Sequence, residues 1–205
     1  QRERGLARQR PLTHAERRGA RILAELKRLT HAKLVVSRGD ASAVEAGAPK
    51  QPPVHVDRVI DDGASVELGG VRLTAHVTPG HTKGCTTWTL AATEAKKSYR
   101  VVFYCSTTVV DRLVGNTSYP EIVADYERSF PKLAALPCDV FLAPHPFFFD
   151  LQSKLERRKP GAPNPFVDPD ELRRHVASSE QSFREALAKE RAAASAPPAG
   201  TPAKR

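Results

Sequence analysis

Residues 71–92 read VRLTAHVTPGHTKGCTTWTLAA. Val71, Leu73, Ala75 and Val77 alternate with Arg72, Thr74 and His76, the period of a strand with one buried face. The strand runs into Pro79-Gly80, presents His81, turns again at Gly84 and leads into a second strand, TTWTLAA, over 86–92. A histidine on a glycine-flanked turn at a strand's end either aims a ring nitrogen into a cleft or hydrogen-bonds to nearby backbone.

Gly69-Gly70 between SVEL (65–68) and VRLTAHV (71–77) predicts a hairpin. VHVDRVI (54–60) reads as a strand ending at Asp61-Asp62-Gly63, and RVVFYC (100–105) as another, reached through the polar turn TEAKKS. Upstream, Ile22, Leu23, Leu26 and Leu29 lie at helical spacing and predict a helix over about 15–30. AKLVVS (32–37) reads as a buried strand, ASAVEAG (41–47) as a short helix or turn closed by Gly47, and 48–53 as a loop. Downstream, residues 118–136 predict a helix with a Ser118/Glu121 capping box, kinked or split at Pro131. CDVFLAPH (138–145) is a strand ending in His145, 159–169 is a proline-rich loop, and Asp168 and Glu171 open a last amphipathic helix to about 191. The order predicts a mixed, layered α/β domain over 14–191, between a disordered basic arm (1–13) and a disordered tail (192–205).

The 205 residues carry a net charge of +9, yet the arginines gather in runs such as RERGLARQR (2–10), which read as solvated ends and faces. Aromatic interleaving, groove-reading motifs and glycine-rich loops are missing, which argues against a nucleic-acid partner. No apolar run reaches the roughly 20 residues of a membrane span, and no signal peptide is visible. The three cysteines form no CxxC pair; Cys85 and Cys105 read as small buried hydrophobes, and an odd count leaves at least one thiol unpaired. Trp88 reads as core, and His31, His55, His76 and His175 as surface.

His81, His145 and His14 each stand at the end of an element, and three such histidines can converge on one side of a sheet as zinc ligands. TPGHTKGCTTW (78–88), YCST (104–107), YPEIVADYERSF (119–130), LPCDVFLAPHP (136–146), FDLQSK (149–154) and ELKRLTHAKLVVSRGDA (25–41) together resemble a class B, subclass 3 metallo-β-lactamase. The resemblance covers about residues 22–187. It implies an αββα sandwich, export to the periplasm, and attack of a zinc-bound hydroxide on a β-lactam carbonyl, the chemistry of antibiotic resistance.

The chain departs from that family's H-x-H-x-D-H signature, where it reads HAERRG (14–19). His14 stands at the first histidine, Glu16 at the second, Arg18 at the aspartate and Gly19 at the last histidine. His81 and His145 match the two remaining ligands. The resemblance therefore implies a metal set of His14, Glu16 and His81, with His145 left beside Arg18, which cannot ligate a cation; at most one zinc is expected. Arg18 is either a charge for a substrate carboxylate or a solvated arginine. Ser106 and Thr108 fall near positions that contact the substrate carboxylate, or else cap a strand end. Cys138 matches a cysteine that often pairs with one in the last helix; Leu172 stands at that place, so no such bridge is expected.

The N-terminal half-sandwich has only arginine-rich sequence in its place, so the sheet should carry a bare apolar face. The makeup of residues 1–21 is also what a truncated or frame-shifted N-terminus yields, in which case His14 matches by chance. The functional expectation is a zinc-dependent hydrolase of β-lactam-like substrates, impaired; the alternative is a non-catalytic fragment or pseudoenzyme.

Overall fold

The computed structural model describes residues 23–47, 52–94 and 96–195. The expected arm, His14, Glu16 and Arg18, and the tail from 196 lie outside them. The elements are a helical segment α1 (23–30), β1 (Val35–Ser37), α2 (Arg38–Ala46), β2 (Arg58–Ile60), β3 (Ser65–Leu68), β4 (Val71–Val77), β5 (Thr86–Glu94), β6 (Lys97–Phe103), α3 (Ile122–Ala134), β7 (Val140–Leu142), a 3-10 turn (Pro146–Phe149), α4 (Leu151–Arg157) and α5 (Glu171–Ser195).

Strands β3 to β7 form one sheet in sequence order. Its first four strands are antiparallel and β7 lies parallel to β6, while β1 and β2 make a separate parallel pair. The core fills one face of the sheet. Val102, Tyr104 and Phe141 from the strands meet Ile122, Tyr126, Phe130 and Leu133 of α3 and Leu172, Val176, Phe183 and Leu187 of α5. The three- and four-residue spacing along both helices is the apolar stripe that the sequence shows.

The other face stays partly bare. Cross-strand partners share a face, so the register joins Leu68 to Val71, Val66 to Leu73, and Ala75 through Trp88 to Phe103. Ala75 and Val101 are buried, but Leu68 is 83%, Val71 44% and Phe103 41% exposed. The alternation in β4 thus marks an apolar face correctly, but the described residues cover only part of it.

Several local expectations are corrected. Residues 54–57 do not extend β2: Val54 and Val56 are buried, but their amides donate to the Val44 carbonyl and the Glu45 carboxylate, not to a strand. The Ser118/Glu121 capping box does not form. The Asn116 side-chain oxygen accepts from the Ser118 hydroxyl and from the Ser118 and Tyr119 amides, and the helix starts only at Ile122. Pro131 does not split α3; Phe130 and Leu133, on either side, are both buried against the core and hold the helix together. Helix α5 continues to Ser195, so residues 192–195 are helical, not tail.

His175 is also not a surface residue. It packs edge-on to Tyr104 at 5.0 Å and against Phe141 at 5.1 Å and Phe148 at 5.4 Å, and burial holds its imidazole below the usual histidine range. His76 is half-buried on β4, 2.9 Å from the Thr89 hydroxyl, and burial lowers it too. His31 and His55 are exposed, as expected.

Candidate metal site

His81 sits on the loop between β4 and β5. Backbone closes the neck of this loop, with the Thr78 amide donating to the Cys85 carbonyl at 2.8 Å. Side chains fasten it from two sides. From α2 and the residue before it, Asp40 accepts from the Thr82 hydroxyl at 2.7 Å and the Gly84 amide at 2.8 Å, and the Ser37 hydroxyl donates to the Gly84 carbonyl at 2.5 Å. From α3, the Ser129 hydroxyl donates to the Pro79 carbonyl at 2.7 Å and the Lys132 ammonium to the Val77 carbonyl at 3.0 Å. The Tyr126 ring lies against Gly80.

The imidazole itself is directed by one bond. His81 Nδ1 lies 2.8 Å from the Thr108 carbonyl oxygen. A carbonyl only accepts, so Nδ1 carries the proton and the Nε2 lone pair is left unused by this bond. The backbone-bonding alternative for His81 is met by Nδ1, while Nε2 takes no part in that bond. A protonated nitrogen on a backbone carbonyl with the other nitrogen free is the arrangement of a zinc-ligating histidine, so the donor chemistry here fits that metal.

Thr108 is exposed, and its amide donates to the Ser106 hydroxyl at 3.1 Å. Ser106 is 6% exposed, its hydroxyl engaged in this turn. His145 lies three residues past β7, at the mouth of the 3-10 turn, exposed and stacked on Phe147 at 5.2 Å. The structure thus brings His81, Ser106 and Thr108 together. Among the described residues, no three His, Cys, Asp or Glu side chains gather as a metal cluster. Asp40, Ser37, Tyr126 and Ser129 lie inside the stretches that carry the resemblance, but their fastening roles are not readable from the residues themselves.

Cys85 and Cys105 form a disulfide, with Cα atoms 5.8 Å apart, so they are not merely the small buried hydrophobes expected. The reason is register: Trp88 pairs with Phe103, and following both strands to their ends brings Cys85 level with Ser106, next to Cys105. The bridge ties the His81 loop to the strand that leads into Ser106 and Thr108. It closes a loop of 20 residues, for which chain entropy gives about 3 kcal/mol. We expect a Cys85→Ser/Cys105→Ser variant to lose about that much in urea unfolding, with reductant destabilising the wild type alone. Cys138 is the free thiol, buried, its pKa pushed up to about 12 by desolvation.

No protein-family model matches the chain. Solved structures do. BJP-1, a subclass B3 metallo-β-lactamase of Bradyrhizobium japonicum, is 41% identical with a TM-score of 0.80, over 83% of this chain and 69% of that one. The FEZ-1 metallo-β-lactamase from Legionella gormanii is 37% identical with a TM-score of 0.77, over 82% and 69%. The chain belongs to the subclass B3 metallo-β-lactamases.

A third structure is a Cronobacter sakazakii metallo-β-lactamase with a HARLDQ motif. It is 34% identical with a TM-score of 0.77, over 83% of this chain and 71% of that one. Subclass B3 membership makes the five-stranded sheet with α3 and α5 one half of the family's αββα sandwich. It also explains the bare apolar face, since the chain spans about 69% of the length of these relatives.

Proposed function

We propose that the chain is a zinc-dependent hydrolase that opens β-lactam-like amides through a single metal. The observation that carries this reading is His81, whose loop is fastened from α2 and α3 and whose Nε2 is left free by the bond from Nδ1 to Thr108. His14, Glu16 and His81 would hold the ion, two imidazoles and a carboxylate being an accepted zinc set. With Arg18 and Gly19 standing in the sequence at the last two ligand places of the signature, His145 would have no partner for a second site. Zinc supplies an acidified water and stabilises the developing oxyanion. The chain's own part is to fix the His81 ring and to offer Thr108, exposed beside it, to a substrate carboxylate, with Ser106 shaping that turn.

The HARLDQ relative supports tolerance of a changed signature: set against HAERRG, it shares the opening His-Ala and also lacks histidine at the third and sixth places. The Cys85–Cys105 disulfide supports an oxidising compartment, periplasmic or extracellular. No helix among the described residues is long and apolar enough to cross a membrane.

The test is zinc content by elemental analysis of protein purified without chelator, together with hydrolysis of a chromogenic cephalosporin. We expect about one zinc per chain, lost in His81→Ala along with slow but measurable turnover. A folded protein without zinc above background would overturn the enzyme reading. It would leave a non-catalytic scaffold.

A further inference from the structure

We infer that Tyr126 is a positioning residue: by donating its hydroxyl to the Thr108 carbonyl, it sets the tautomer and the direction of the His81 imidazole. The Thr108 carbonyl oxygen receives two hydrogen bonds, from the Tyr126 hydroxyl at 2.8 Å and from His81 Nδ1 at 2.8 Å. A carbonyl has two lone pairs, and both are used. Without the tyrosine, the peptide plane that carries this oxygen is held toward His81 only by the histidine itself.

Tyr126 touches both partners of the arrangement. Its ring packs on Gly80, the residue before His81, while its hydroxyl reaches the acceptor across the site. The ring does not move freely. It is fully buried, stacked on Phe130 at 6.1 Å and against Phe183 of α5 at 5.0 Å. Burial raises its phenol above the ordinary tyrosine value, so the hydroxyl stays a donor at neutral pH. The position of α3 in the core is thereby transmitted to a ring nitrogen. The functional meaning of the inference rests on His81 as a metal ligand; the tautomer itself does not.

The test uses the full chain freed of metal by chelator, at pH 8, with the histidine ring nitrogens read by 15N NMR and His81 assigned through a His81→Ala variant. In the wild type His81 should carry its proton on Nδ1. Tyr126→Phe keeps the ring on Gly80 and removes only the donor. It should move His81 toward the Nε2–H form and weaken zinc binding about tenfold, the low end of the range for an outer-shell partner because it acts one bond removed. Ser129→Ala, which frees the Pro79 carbonyl of the same loop, should leave the tautomer alone; a merely structural role would make the two variants alike.

Should Tyr126→Phe fail to fold, 3-fluorotyrosine at 126 is nearly isosteric and a stronger donor. Its stronger bond should hold the Thr108 carbonyl more firmly and so shift the His81 Nδ1–H proton resonance. A wild-type His81 in the Nε2–H form, or ring signals unmoved by these substitutions, overturns the inference. A tautomer that responds as described in a protein that binds no zinc upholds it and sinks the metal reading instead.

Discussion

Gly80→Ala is expected to cost about 4 kcal/mol of folding free energy, from about 1–3 for backbone strain and about 1–3 for overpacking. Gly80 has a φ of +133°, where L side chains are rarely found, and a Cβ there would lie 2.6 Å from Cδ1 and 2.7 Å from Cγ of the Tyr126 ring. The ring cannot retreat, because Phe130 and Phe183 pack behind it. Nor can the loop move out as a unit, since Ser129, Asp40 and the disulfide hold its neighbours. Gly115→Ala is the control. Gly115 also has positive φ, +68°, but nothing lies within 4 Å of where its methyl would stand, so only the strain of about 1 kcal/mol should appear. Urea unfolding of both variants reads the difference directly. Equal losses would mean that the loop and α3 separate easily, and with them the proposed control of His81.

The contrast between Gly80 and its surroundings shows what the sequence carries. The turn around His81 is legible because proline, glycine and a strand period mark it locally. The hairpin at Gly69-Gly70 is legible for the same reason, with Leu68 and Val71 paired across it. What holds His81 is not legible, because its acceptor is the Thr108 backbone carbonyl, a group every residue has. Tyr126 reads from the sequence only as part of a predicted helix and of a stretch that carries the family resemblance. The disulfide is hidden for a related reason: Cys85 and Cys105 lie 20 residues apart and meet only once the β5–β6 register is known. The strand expected at 54–60 forms only at Arg58–Ile60, because burial and strand pairing are separate conditions. Val54 and Val56 meet the first, while their amides are satisfied elsewhere.

The apolar alternation of β4 likewise tells that a face exists but not what covers it. Membership of the family, drawn from several motifs in order, places that face toward the other half of the sandwich. The metal set is legible only as a resemblance, since two of its members, His14 and Glu16, lie outside the described residues.

Lys154→Met should lose about 3–4 kcal/mol at pH 7, because it breaks a buried ion pair and leaves one charge behind. Lys154 is 3% exposed, with its ammonium 2.5 Å from the Glu171 carboxylate and above the rings of Phe149 at 5.6 Å and Phe166 at 5.5 Å. The pair joins α4 to the first turn of α5. Burial already lifts the Glu171 carboxyl above its ordinary value, although Lys154 pulls it down. Removing the lysine removes that downward pull, so Glu171 rises further. A carboxyl raised in the folded state binds its proton more tightly there than in the unfolded chain. The variant therefore gains stability as pH falls through the raised folded value toward 4.5 and carries the full penalty above it.

Urea unfolding at pH 7 and pH 5 should accordingly show the gap to wild type narrowing at pH 5. The double variant Lys154→Met/Glu171→Leu should recover most of the loss at both pH values, since apolar residues of similar volume often replace a buried pair without cost. If single and double variants lose equally at pH 7, the cost lies in packing around the lysine stem and its aromatic neighbours, not in the stranded carboxylate.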